Sequence, residues 1–384
     1  RNPDSTISSL RRITGTTAGL PVAESLFTYD SQGRVLSMRH QDDGGTLLHP
    51  DADLSYTRDA EGRLLSATNA LDVVSFTYDP DGQLLTADHS NPAYLDESYT
   101  YDLAGNRLNS HLAAAIIDAP NRVTESGDFS YEYDNAGNLS RRTNTLTGEV
   151  TEFQYDHRNR LVLGTVHPSL GAPADHTYEF EYDYLDRMLY RVVDGVKTWI
   201  LHDQDHPIAE FADGATELSA SFLYDPREMD DYHAVWRSGV GERWFLKDQL
   251  GSVRGITDGL YSVLSWSDND AFGNLQPGSS PAEGEPYGFT GRPFVSGLGL
   301  QDNRRRFYDP VLGRFTQEDP VKYGGRDQNL YRYALNSPTG FTDPTGESAI
   351  SDGFIFLIME AAVEVGNRNP KSPDELQFPC TIAR

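Results

Sequence analysis

The sequence predicts an all-β chain, a stacked array of β-hairpins, and three observations carry that prediction. An aromatic-x-Tyr-Asp motif recurs as Phe27-Thr28-Tyr29-Asp30, Phe76-Thr77-Tyr78-Asp79, Tyr99-Thr100-Tyr101-Asp102, Tyr131-Glu132-Tyr133-Asp134, Phe153-Gln154-Tyr155-Asp156, Phe180-Glu181-Tyr182-Asp183 and Phe222-Leu223-Tyr224-Asp225. A worn copy is Tyr56-Thr57-Arg58-Asp59, and successive Asp residues lie 20 to 42 residues apart, as in arrays of repeated supersecondary units. The two aromatics of each copy are two residues apart, so on a strand they share one face. Gly follows Asp after three residues at Gly33, Gly62, Gly82, Gly105 and Gly137. Asp at the first and Gly at the fourth position is the preference of a type I turn, and a left-handed Gly lets the chain re-enter a strand through a bulge.

Along the chain, residues 1–26 read as an incomplete repeat or incoming strand, and residues 27–286 as the hairpin array. An aliphatic residue resumes each strand, as in Arg34-Val35-Leu36 and Arg63-Leu64-Leu65. An isolated hairpin is marginal in water, so the units must stack on their neighbours. Residues 276–286 are rich in Pro, Gly and Ser, a loop by composition. A dense motif block fills residues 287–347, and the character changes again over 348–384. There the apolar run 354–359 reads as the start of a short buried helix, far below the roughly 20 residues that span a bilayer.

Composition narrows the function. The 384 residues carry a formal net charge of −26 with no block of five like charges. Such a field repels nucleic acid and anionic membranes, so neither a nucleic-acid partner nor a membrane span is expected. The single cysteine, Cys380, excludes an internal disulfide framework. The chain starts at Arg1 without a charged start followed by an apolar core, so the segment carries no signal peptide and reads as part of something longer.

Residues 287–347 carry a specific resemblance. Tyr287-Gly288-Phe289-Thr290-Gly291-Arg292 leads to Gly297-Leu298-Gly299-Leu300, then Arg306-Phe307-Tyr308-Asp309-Pro310, Gly313-Arg314-Phe315 and Glu318-Asp319-Pro320. Asn329-Leu330-Tyr331-Arg332-Tyr333, Asn336-Ser337-Pro338 and Asp343-Pro344-Thr345-Gly346 close it. This block resembles the Rhs-associated core domain that ends the YD-repeat shell of Rhs proteins and of the C subunits of insecticidal toxin complexes. The likeness spans roughly residues 27–347. It implies hairpins spiralling into a hollow shell with the core domain as a C-terminal plug. It also implies a C-terminal effector carried in cis, an upstream shell or delivery subunit as partner, and a secreted or cell-surface location by bacterial-type export.

The family's core is held to cut itself from the effector by an aspartic-protease-like reaction. That chemistry needs one carboxylate as base and one carboxylic acid, with a cation to stabilise the oxyanion. Two close carboxylates in a low-dielectric site split their titration, which supplies both roles. The resemblance places the catalytic Arg at Arg306 and the aspartates at Asp319 and Asp343. The cut in the family follows Asp-Pro-x-Gly-Leu; here Glu347 stands where Leu is expected, and the cut falls between Glu347 and Ser348. Read without the resemblance, Asp319 and Asp343 cap ordinary turns.

Other candidates are weaker. Asp268-Asn269-Asp270-Ala271-Phe272-Gly273 begins like a calcium loop, but Phe272 occupies a ligand position and Ser279 the closing one, so it reads as a turn. His202-Asp203-Gln204-Asp205-His206 lacks a third distant ligand and reads as a solvated loop. No cofactor and no metal is expected. The alternative function is a non-catalytic cell-surface scaffold or adhesin. The 37 residues after Glu347 are too few for a catalytic domain of their own.

Overall fold

The computed structural model describes residues 8–13, 21–226, 229–279, 285–325 and 327–351. The helix expected from the apolar run 354–359 lies outside the described residues, as does Cys380. Among the described residues there is no α-helix, only four short 3-10 turns. The chain is a meander in which every strand pairs antiparallel with its sequence neighbour. An eight-stranded sheet runs from Ser9–Ile13 to Glu97–Ser98, and a fifteen-stranded sheet from Ala115–Ile117 to Val263–Trp266. A two-stranded ribbon, Thr100–Tyr101 with Arg107–Asn109, joins them.

All eight motif copies form hairpins, and the Asp134 copy illustrates the local physics. Its strands Phe129–Tyr133 and Leu139–Asn144 flank a turn in which the Gly137 amide donates to the Asp134 carbonyl at 3.1 Å. Asp134 Oδ1 accepts the Ala136 and Asn138 amides, each at 2.9 Å, and Oδ2 accepts Asn138 Nδ2 at 2.9 Å. Gly137 sits at φ +87°, and the register shifts between Glu132 and Tyr133, the expected bulge. The aliphatic residue five positions after Asp is buried in seven turns: Val35, Leu64, Leu84, Val123, Leu139, Leu161 and Val253. Each contributes about 1.5–3 kcal/mol by burial.

The second aromatic has a further task. Tyr78 donates its hydroxyl to the Leu64 carbonyl (2.8 Å), Tyr101 to Leu84 (2.7 Å), Tyr155 to Leu139 (2.9 Å) and Tyr182 to Leu161 (2.8 Å). Each acceptor is that buried aliphatic residue of the preceding hairpin. A phenolic ladder therefore locks each of these four units to the one before it. This explains Tyr, where Phe would fill the same space.

The opening strands meet the closing ones. Ala23, Ala52, Leu246 and Trp266 share one apolar cluster. His40 Nε2 donates to the Lys247 carbonyl at 2.8 Å, while its Nδ1 accepts from Ser25 Oγ at 2.6 Å. The ring of sheets encloses a plug. The plug has four short strands, Phe294–Val295, Leu300–Asn303, Arg306–Asp309 and Arg314–Phe315, and a hairpin of Phe341–Thr342 with Ile350–Ser351. Plug residues Leu298, Leu300, Phe307 and Leu312 fill the aromatic wall built by Tyr131, Phe153, Phe180 and Tyr182. A cavity of about 840 Å³ remains between plug and wall, bordered by Tyr178, Arg191, Tyr287 and Arg304.

Candidate functional site

Arg306, Asp319 and Asp343 come together inside the plug. Arg306 lies on the strand Arg306–Asp309, all of whose residues are buried, and is 3% exposed. Its guanidinium stacks over Phe315, with Cζ 3.7 Å from the ring centroid. Every nitrogen is engaged. Nε donates to the Gly346 carbonyl at 2.5 Å and Nη1 to the Leu330 carbonyl at 2.9 Å. Nη2 lies 3.1 Å from Asp319 Oδ2 and 3.3 Å from Asp343 Oδ2. Asp319 is 7% exposed and Asp343 is 2% exposed, so both carboxylates face one cation with little water.

The two carboxylates are held differently. The Asp319 amide donates to the same Leu330 carbonyl at 2.9 Å, and Asp319 Oδ1 accepts the Val321 amide at 2.8 Å. Asp343 Oδ1 caps the turn of the closing hairpin, accepting the amides of Gly346 (2.8 Å), Glu347 (3.1 Å) and Ser348 (3.2 Å). The capping role and the cation-facing role therefore coexist on opposite oxygens of Asp343. Burial raises the pKa of Asp319, and the charges of Asp343 and Glu347 add to it against the pull of Arg306. A carboxyl so placed stays protonated to higher pH than usual and can donate a proton. Glu347 stands at the rim, its Oε1 3.6 Å from Arg305 Nε.

Three supports were not apparent from the motifs. Asn303 is fully buried and donates Nδ2 to the Asp343 carbonyl at 2.7 Å. Gly346 adopts φ +71°, and a Cβ there would sit 2.6 Å from the Asn303 carbonyl and 2.9 Å from the Arg306 amide. The Leu330 carbonyl orients Arg306 and Asp319 together. The signal for Gly346 was its place in Asp-Pro-Thr-Gly; the other two act from elsewhere in the chain.

The other sequence candidates lie apart. The Asp270 amide donates to the Asn274 carbonyl at 2.7 Å and the Gly273 amide to the Asp270 carbonyl at 3.1 Å, the same turn as in the repeats. His202 and His206 sit on the adjoining strands Val196–Asp203 and His206–Ala212, and the His206 ring stacks on Tyr224 at 4.8 Å. Among the described residues, neither histidine joins a group of three metal-capable side chains. No described helix is long and apolar enough to cross a membrane.

Comparison with known proteins places this architecture. The teneurin YD-shell family model matches residues 93–339, and the RHS repeat model matches residues 58–93. Double-stranded DNA deaminase toxin A of Burkholderia cenocepacia is 28% identical over 71% of this chain and 20% of its own length. Toxin protein Tse5 of Pseudomonas aeruginosa is 28% identical over 71% of this chain and 25% of its own length. Mouse Teneurin-4 is 23% identical over 69% of this chain and 10% of its own length. The chain thus spans a quarter or less of these relatives. Among solved structures, TcdB2-TccC3 without its hypervariable C-terminal region matches with TM-score 0.48 and 14% identity, covering 88% of this chain and 21% of that one.

Proposed function

The chain belongs to the teneurin YD-shell family, and from that premise we propose that it is the plugged end of a shell that encloses a C-terminal effector polypeptide and frees it by aspartic-type self-cleavage. The observation that carries the reading is the convergence of Asp319, Asp343 and the Gly346 carbonyl on Arg306 inside the plug. In this reaction one carboxylate takes a proton from water, whose oxygen attacks the carbonyl carbon. Arg306 stabilises the oxyanion. Asp319, held above its usual range, gives its proton to the departing nitrogen as the C–N bond breaks.

The expected bond is Glu347–Ser348. The Ser348 amide already contacts Asp343 Oδ1 at 3.2 Å, while the grip on Gly346 anchors the strand one residue upstream. The effector needs more room than this segment offers: a 100-residue domain has a radius of gyration of about 13 Å, against a cavity of about 840 Å³. An upstream shell segment or delivery subunit therefore completes the container in this reading. The toxin relatives favour a secreted or cell-surface-delivered assembly.

The test is intact mass spectrometry of a chain extended past residue 384, with Asp319→Asn and Asp343→Asn beside it. Fragmentation in the wild type, absent from both variants, is expected, and the fragment mass distinguishes a cut after Glu347 from one after Gly346. An intact wild type overturns self-cleavage. It favours the second reading, a non-catalytic cell-surface scaffold or adhesin, for which Asp343 only caps its turn and mouse Teneurin-4 is the pertinent relative.

A further inference from the structure

Where the first sheet ends against the loop after the last shell strand, a buried cluster of ionisable side chains takes no part in the chemistry above. Glu97, His111 and Asp270 each turn one ligand-capable atom towards a common point, all within 4.8 Å of one another. His111 Nε2 is 3.5 Å from Asp270 Oδ2, and His89 Nε2 is 3.7 Å from Glu97 Oε1. The side chains of Glu97 and Asp270 are 2% exposed, and that of His111 is 9% exposed.

Two observations separate this from a buried acidic pair. His111 is a buried imidazole without its usual partners: Nδ1 has no hydrogen-bond partner, and Nε2 only faces Asp270. Burying such a ring without compensation is costly. Independently, His89 is oriented by a carboxylate. Its Nδ1 lies 2.5 Å from Asp72 Oδ2, and Asp72 is itself fixed by Ser90 Oγ (3.0 Å) and the Asn91 amide (2.9 Å). That arrangement fixes the ring with Nε2 facing Glu97 Oε1 and, at 3.5 Å, Gln276 Nε2, so that His89 supports Glu97 from outside the cluster.

We infer that Glu97, His111 and Asp270 bind one divalent transition-metal ion of the zinc type, with His89 held against Glu97 behind them. Mixed imidazole and carboxylate donors suit zinc, whereas calcium and magnesium call for oxygen ligands throughout. A tetrahedral ion with bonds of about 2.1 Å sets its ligand atoms roughly 3.4 Å apart. The His111–Asp270 distance, 3.5 Å, already stands near that spacing. The other bonds leave donors free. Glu97 Oε2 accepts the Tyr99 hydroxyl (2.5 Å) and the Ala271 amide (3.0 Å), while Oε1 accepts only the longer arm of that same amide (3.2 Å) and turns towards His89. Asp270 Oδ1 caps its turn, and Oδ2 accepts one bond, from Asn274 Nδ2 at 2.8 Å.

The ion would fasten three stretches: the end of the first sheet at Glu97, the link between sheets at His111, and the loop after the last strand at Asp270. That is a clasp on shell closure, separate from the plug. A proton shared by Glu97 and Asp270 is the other way to hold two carboxylates together, and it makes no demand on His111.

The test uses the full 384-residue chain, dialysed against a chelator and titrated with zinc chloride in competition with a chromogenic chelator. One saturable site per chain is expected, weakened at least about tenfold by His111→Ala and by Glu97→Gln, given what lesser changes around metal sites cost. His176→Ala, at an exposed histidine, leaves it unchanged. Zinc raises the melting temperature of the wild type and not of His111→Ala. Absence of a saturable site, or wild-type affinity in either cluster variant, overturns the assignment.

Discussion

Gly137→Ala, set beside Gly82→Ala, isolates what the plug asks of the shell. Both glycines end the same Asp turn at nearly the same backbone angle, φ +87° and +83°. An alanine costs roughly 1–2 kcal/mol for the left-handed conformation in either place. The surroundings differ. A Cβ at Gly82 meets nothing within 4 Å, whereas one at Gly137 would lie 2.6 Å from Glu318 Oε1 and 2.8 Å from the Tyr331 hydroxyl. Tyr331 is fully buried and donates to the Gly137 carbonyl at 2.7 Å, so the ring must move and that bond breaks. Losing a buried hydrogen bond and stranding its partner costs about 1–3 kcal/mol. Gly137→Ala should therefore exceed Gly82→Ala by that amount, or several degrees in melting temperature at roughly 2–4 °C per kcal/mol. Thermal unfolding followed by circular dichroism measures the difference. Equal losses would show that the plug does not bear on this turn.

Three further outcomes follow from the same geometry. Tyr182→Phe deletes a buried rung of the phenolic ladder and should lower stability by about 1–2 kcal/mol in urea unfolding, while Tyr184→Phe, whose side chain is exposed, should not. Gly346→Ala places a Cβ against the Asn303 carbonyl and the Arg306 amide, so self-cleavage should be lost by intact mass while the circular dichroism of the shell is kept. Burial, reinforced by Arg12 and Arg254, holds His40 down at about 3. An unfolded histidine titrates near 6.5, so the stabilisation from neutral His40 is full above that pH. It is lost at about 1.4 kcal/mol per pH unit as pH falls from there towards about 3. Between pH 7 and 5, urea unfolding should show the wild type losing roughly 2 kcal/mol more than His40→Gln.

What was legible in the sequence is what is local. The Asp turn, its glycine and the paired aromatics lie within ten residues, and the hairpins form where the motif stands. The turns at Asp118, Asp248 and Asp258 use the same carboxylate capping without a preceding Tyr, so the motif passed over them. The phenolic ladder joins residues separated by loops of varying length, so no fixed spacing announces it. The seam at His40 and Lys247 links residues 207 positions apart and leaves no mark in either segment. Arg306, Asp319 and Asp343 could be grouped only through the family's motifs, because nothing in their spacing sets two carboxylates on one guanidinium. Of the partners that hold them, Asn303 comes from a strand end without sequence signature, and the Leu330 carbonyl is a backbone group whose role its motif does not announce.

The site and the repeats are not independent. Asn329 reaches the Ala104 carbonyl (3.2 Å) and Asn106 Oδ1 (2.8 Å), and Asn336 reaches the Gly105 carbonyl and Gln83 Oε1, each at 2.8 Å. Tyr331 takes Gly137, and Arg314 Nη2 donates to the Asn121 carbonyl at 2.5 Å. These acceptors all belong to Asp turns of the shell, so the turns are the surface on which the plug docks. Between the docked Asn329 and Tyr331 stands Leu330, whose carbonyl holds both Arg306 Nη1 and the Asp319 amide. Each docking bond contributes only about 1 kcal/mol net, but together they fix that carbonyl against four separate hairpins. The grouping of Arg306 with Asp319 therefore depends on the shell being wrapped around the plug, and the self-cleavage proposed above would require that wrapping.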